Sequence, residues 1–140
     1  MNLKRILEIY DLIKSILPST YPRASLAFFE SEEHMLKHSE EITPEEDENV
    51  YAVVDPETLT INLPLKMEVK YEDDNGEIYT KTVPINKMSD EELALTLLHE
   101  CGHLYHGNRY GWNSKQYSDE KLQDVFALRW LKRMKKKKLI

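Results

Sequence analysis

Apolar residues recur through the first seventeen positions at a spacing that predicts a helix. Leu3, Ile6, Leu7, Ile9, Tyr10, Ile13, Ile16 and Leu17 fall on one side, Lys4, Arg5, Glu8, Asp11 and Lys14 on the other, and Pro18 stops the run. Because the polar side mixes both signs instead of being basic, the segment reads as a helix packed on a core and not as one lying on a membrane. Leu26-Ala27-Phe28-Phe29 follows as a buried strand, and the acidic stretch after it as a solvated helix or loop. Val50 to Val54 and Leu59 to Leu63 read as two strands joined at Asp55-Pro56-Glu57-Thr58, where Pro56 presets the turn dihedral.

A second hairpin is expected directly downstream. Met67-Glu68-Val69-Lys70-Tyr71 alternates apolar with charged residues, Asn75-Gly76 supplies the positive dihedrals of a primed turn, and Ile78 to Val83 returns. Pro64 and Pro84, which lack an N–H, mark strand ends. Ser89 then stands where a helix cap belongs, with Glu92 as its capping-box partner, and Leu93 to Leu98 carries that helix to His99. A last helix begins near Ser118, with Leu122, Val125, Phe126, Leu128, Trp130 and Leu131 as its apolar positions. The order of elements is that of an α+β protein without internal repeats.

Composition bounds this picture without changing it. The 140 residues, 41% of them hydrophobic, suit a single domain over 1–134 followed by a basic tail at 135–140. A formal net charge of -6 argues against specific nucleic-acid binding, although the basic tail could touch nucleic acid weakly. The charge is uneven: residues 30 to 48 carry nine carboxylates, whereas Arg129, Lys132, Arg133 and Lys135 to Lys138 make the end basic. No stretch approaches the ~18 uncharged apolar residues of a membrane helix, and Lys4, Arg5 and Glu8 sit where a signal peptide would be apolar, so a cytoplasmic protein is expected. A single cysteine, Cys101, excludes an internal disulfide.

The chemistry concentrates at His99-Glu100-Cys101-Gly102-His103. Two histidines four residues apart on a helix project from one face and can reach one metal ion at about 2.0–2.1 Å. Glu100 then falls beside the ion, where a general base could take a proton from a metal-bound water. Positions 96 to 105 hold no charge except Glu100, and a carboxylate buried there without a partner would be costly. Cys101, about 100 degrees around the helix from its neighbours, is expected to pack inward and not to act as a nucleophile.

A catalytic zinc usually takes three protein ligands, so one more must come from downstream. His106 and Arg109 stand where the metzincin pattern needs glycine and histidine, which excludes that class and leaves His106 as a surface or cleft-wall residue. Asp119, Glu120 and Asp124 are the candidates. Glu120 with Asp124 one turn on would give one side chain for the metal and one to accept the ring proton of a ligand histidine. The stretch from Gly107 to Gly111 would supply the reversal that brings the last helix back across the histidine helix.

His99, Glu100, His103, Glu120 and Asp124 together resemble the gluzincin metallopeptidases, whose histidine-glutamate-x-x-histidine helix is followed by a glutamate helix that often reads glutamate-x-x-x-aspartate. The match covers residues 96 to 131; upstream, size and element order look like those of the small minigluzincins. The resemblance implies a backing helix, a short twisted sheet with a rim strand lining the cleft, a zinc helix and a glutamate helix. It leaves the oxyanion donor open, with Tyr105, His106, Tyr110 and Tyr117 nearby in sequence.

Three functions are therefore in play. The first is a zinc endopeptidase acting on peptide or protein substrates laid along an edge strand, Ile78 to Val83 or Leu59 to Leu63. The second is such an enzyme held off by self-association or by its own tail, Lys135 to Ile140, lying in the cleft. The third is a non-catalytic zinc-containing regulatory or protein-binding module.

Overall fold

The computed structural model describes residues 3–38 and 52–140. The first helix, α1 (Lys4–Ile16), buries Ile6, Ile9, Tyr10 and Ile13 and ends as Leu17 turns extended ahead of Pro18. The Tyr10 hydroxyl donates to the Ala24 carbonyl at 2.6 Å, which ties α1 to the start of strand β1 (Ser25–Phe29). A short helix α2 (Glu32–His38) follows; Glu40 to Glu48, with Val50 and Tyr51 of the expected first hairpin, lie outside the described residues.

Strands β2 (Val53–Asp55) and β3 (Thr60–Pro64) form the first hairpin, paired antiparallel with Val54 opposite Ile61. Strand β1 joins them from the other side, parallel to β3 with Leu26 opposite Ile61, so the sheet order is β1-β3-β2. Leu59 to Leu63 is thus not an edge. Its strand lies in the middle because β1, made from residues more than thirty positions earlier, supplies a second partner that local pattern does not reveal. One face of the sheet gives Val54, Ile61 and Leu63 to the main core, while the fully buried Met35 of α2 covers the other.

The second hairpin, β4 (Lys66–Glu72) and β5 (Ile78–Pro84), is a separate two-stranded ribbon and not a continuation of that sheet. Pro64 and Pro84 cannot donate to a ladder, and β5 is exposed from Ile78 to Thr82. Its turn also differs from the primed form expected. Of Asn75 and Gly76, only Gly76 has positive φ, at 78°; Gly76 N–H donates to the Asp73 carbonyl, and Asp73 Oδ1 accepts from the N–H groups of Asn75 and Glu77.

Three helices complete the fold. Helix α3 (Asp90–Tyr110) starts at Ser89, whose side chain accepts from Glu92 N–H, and carries Asp90, Glu91 and Glu92 in its positive first turn. It ends at Gly111, whose φ of 107° suits a residue without Cβ. The short α4 (Lys115–Ser118) leads into α5 (Glu120–Lys136), capped by Asp119, whose side chain accepts from Lys121 and Leu122 N–H. Leu93, Leu97, Leu98 and Leu104 of α3 close on Phe126, Trp130, Leu131 and Met134 of α5 and on the inner side of α1. Among the described residues, no helix is long and apolar enough to cross a membrane.

The basic end is ordered helix followed by a turn. Lys135 and Lys136 belong to α5, Lys138 takes a positive φ of 57°, and Leu139 N–H donates to the Met134 carbonyl. Leu139 and Ile140 then pack on the core, and Lys135 pairs with Glu91 at the start of α3. Because α5 is seventeen residues long, this end stands about 24 Å from Glu120.

Candidate metal centre

The packing of α3 on α5 brings five chemically active side chains together. His99 and His103, one turn apart on α3, have ring centroids 5.1 Å apart, and their side chains are only 19% and 12% exposed. The two rings are fixed in the same sense by different partners. His99 Nδ1 donates to Asp124 Oδ1 at 2.8 Å, and His103 Nδ1 donates to the main-chain carbonyl of Tyr117 at 2.5 Å. With each Nδ1 proton committed, the Nε2 atoms are the ones offered to the site. Both meet one carboxylate: Glu120 Oε2 is 2.6 Å from His99 Nε2, and Oε1 is 3.1 Å from His103 Nε2.

This arrangement concentrates positive charge between the rings and the carboxylate. Burial disfavours the charged form of His99, but the Glu120 hydrogen bond and the nearby charges of Glu100 and Glu120 outweigh it and raise its pKa to about 9. His103 moves in the same direction against the same burial, through Glu120 and Glu100. The hydrogen bonds from His103 and His99 hold the Glu120 carboxyl far below the usual carboxylate range. Near neutral pH a proton on His99 Nε2 therefore supplies the positive charge that Glu120 faces, and a divalent cation at the same atoms would satisfy the same carboxylate.

Glu100 sits beside this group. It is buried, and its carboxylate oxygen and the ligand nitrogens of His99 and His103 all lie within 4.8 Å of one another, so these three residues could hold a metal ion. Burial pushes its carboxyl up to about 7, against the lowering effect of His103 and His99. Two imidazoles and the enclosed carboxylate of Glu100 thus form one set that could hold an ion, and Glu120 meets both imidazoles from the exposed side.

Other candidates fall elsewhere. Asp119 is the cap of α5. Cys101 is buried in the core, where burial raises its thiol to about 12, leaving it protonated and unreactive at neutral pH. His106 is not a surface or cleft-wall residue: it is buried, with Nδ1 donating to the Gly102 carbonyl and to Gln123 Oε1, both at 2.8 Å. One turn beyond Gly102, it lies on the face that α5 covers. Nor does the reversal begin at Gly107, which is helical; a Cβ there would come within 2.3 Å of the Trp112 ring, which folds back on it. Chain reversal waits for Gly111. Of the four residues considered as oxyanion donors, Tyr105 packs on Tyr21 and Phe126, Tyr110 stacks on His106, and Tyr117 presents its ring edge-on to His103 with centroids 5.6 Å apart.

Two participants escaped the sequence reading. The Tyr117 carbonyl carries no residue-type signal, because any amino acid could provide it. Gln123 did leave a trace: it continues the buried stripe of Phe126, Ala127, Trp130, Leu131 and Met134 as a polar residue with no solvent exposure. No protein-family model, curated protein or solved structure matches the chain.

Proposed function

We propose that this protein is a zinc-dependent peptide hydrolase of the gluzincin type, with His99, His103 and Glu120 as the metal ligands and Glu100 as the general base. The observation that carries the reading is the shared carboxylate: both Nε2 atoms meet Glu120 while both Nδ1 protons are held by other groups. Two imidazoles and a carboxylate suit zinc and leave a coordination place open. Once bound there, the ion would supply Lewis acidity, polarising a peptide carbonyl and making water more acidic.

The chain's own groups account for the remaining steps. Glu100, with a carboxyl titrating near neutrality, is matched to taking a proton from water and passing it to the departing amine. Asp124 and the Tyr117 carbonyl keep the ligand nitrogens aimed inward. The peptide would lie extended along β2, which has a strand neighbour on one side only among the described residues and packs against α3. In this reading the α+β fold is a minimal gluzincin arrangement, with α1 as the backing helix, α3 as the zinc helix and α5 as the glutamate helix.

The test is to incubate zinc-loaded protein with a mixed peptide library and read new termini by mass spectrometry, with Glu100→Gln as the control. Cleavage by the wild type that Glu100→Gln lacks is expected. A wild type that binds zinc and cleaves nothing in the library would favour a non-catalytic zinc module instead.

A further inference from the structure

The two histidines are oriented by unlike devices. His99 leans on a carboxylate that is itself largely in solvent, since the Asp124 side chain is 67% exposed. His103 leans on a main-chain carbonyl, and a carbonyl at the exit of a four-residue helix is a poor anchor unless something fixes it. Gln123 does so. Its Nε2 donates to the Gln116 carbonyl at 2.8 Å and to the Tyr117 carbonyl at 3.3 Å, and its Oε1 accepts from His106 Nδ1 at 2.8 Å.

We propose that Gln123 is a positioning residue for the metal centre, fixing the Tyr117 carbonyl that orients His103, and that His106 and Gly102 are present to serve it. The inference rests on the metal-centre reading given above. Three observations converge on it. First, every polar group of Gln123 is used: two donors meet two carbonyls and the carbonyl oxygen meets an N–H, in a side chain with no solvent exposure. Second, the Tyr117 carbonyl receives two donors, from His103 and from Gln123, so both its lone pairs are engaged and its direction is fixed. Third, Gly102 makes the room. A Cβ there would lie 2.8 Å from Gln123 Oε1 and 3.1 Å from Phe126 Cδ1. The glycine inside the His99-to-His103 segment thus admits the amide that steadies His103.

His106 sets the sense of the relay. Its Nδ1 faces two acceptors, the Gly102 carbonyl and Gln123 Oε1, and so must carry the proton. That proton keeps the Gln123 amide from flipping, and an unflipped amide points its NH2 at the α4 carbonyls. The path runs from Gly102 through His106, Gln123 and the Tyr117 carbonyl to His103 without a gap longer than 3.3 Å.

The test compares wild type, Gln123→Met and a control core variant, Ile13→Val, using two readouts. In metal-free protein, nitrogen-15 NMR of the imidazoles should show a slowly exchanging His103 Nδ1–H in wild type and Ile13→Val, and its loss or shift in Gln123→Met. Zinc affinity, measured by competition with a chelating dye, should fall 10–100-fold in Gln123→Met and hold in Ile13→Val. An unchanged His103 Nδ1–H in folded Gln123→Met would overturn the relay. Should that variant fail to fold, exchange of the Gln123 carboxamide protons in wild type decides: slow exchange supports the relay and solvent-like exchange refutes it. A wild type that binds no zinc would refute the metal reading, while the NMR arm would still judge the relay separately.

Discussion

Glu120 Oε2 lies 2.6 Å from His99 Nε2, and this contact joins the second half of the chain's chemistry to the first. It forms only because Gly111 and the short α4 return α5 across α3 with Glu120 in its opening turn. The same carboxylate reaches His103 through its other oxygen, so one side chain from α5 addresses both histidines. Consequences for metal binding, acidity and stability follow from that geometry.

If His99 and His103 are metal ligands, as proposed, protons and metal compete for the same nitrogens. His99 is raised to about 9, so zinc must displace a proton from it throughout the neutral range, and apparent affinity should climb about tenfold per pH unit for each proton displaced. Chelator competition between pH 6 and 10 reads this directly. The climb should flatten above about pH 9; an affinity independent of pH would show that His99 is not a ligand.

The metal-free protein should become less stable as pH rises from about 4.5 to 9. A group whose folded pKa is raised contributes stability that is complete below its unfolded value and lost as pH climbs through the folded one. For His99 that window runs from about 6.5 to 9, and for Glu100 from about 4.5 to 7, so the two losses add. The lowered Glu120 reports the same ion pair from its other side and is not a separate contribution. Urea denaturation across this range should give a falling midpoint, and saturating zinc should reverse the fall.

Replacing Glu100 by glutamine should separate catalysis from folding. Loss of a general base typically costs 10²- to 10⁴-fold in rate, whereas zinc content should hold because the proposed ligand carboxylate is that of Glu120. Since an ionised Glu100 is buried at a cost, the metal-free variant should exceed wild type in stability above pH 7 by on the order of 3 kcal/mol. Equal midpoints for the two proteins at pH 8 would show that Glu100 carries no such burden.

Much of this site was legible in the sequence because helix geometry ties spacing to direction. His99, Glu100 and His103 followed from a four-residue interval, and Glu120 with Asp124 from a second interval of four. What escaped depends on contacts between distant segments. The parallel pairing of β1 with β3 has no local sign, so Leu59 to Leu63 read as an edge when it is central. His106 looked like an exposed polar residue because its acceptors, the Gly102 carbonyl and Gln123, are visible only when α5 is in place. The tail stood out only as a basic end because its lysines dominate, yet Leu139 and Ile140 pack on the core.

That last contact gives a prediction of its own. Deleting residues 137–140 should cost about 1–2 kcal/mol through lost apolar burial and leave zinc binding unchanged, since this end lies far from Glu120. Thermal melting and chelator competition check the two halves. A gain in peptide cleavage on truncation would instead support a tail that holds the enzyme off.

Gly107→Ala should destabilise by about 1–3 kcal/mol, because the new methyl group meets the Trp112 ring and Tyr117 behind it. Tryptophan fluorescence should shift to the red as the ring is displaced. An unchanged melting temperature would show that Trp112 is not packed on α3.

The central claim is tested most directly by elemental analysis of zinc per chain in wild type, His103→Ala and Glu120→Ala, each purified without added metal and again after zinc is supplied. About one zinc is expected in the wild type and little or none in either variant. No zinc in the wild type after supply, or an undiminished zinc in Glu120→Ala, would contradict it.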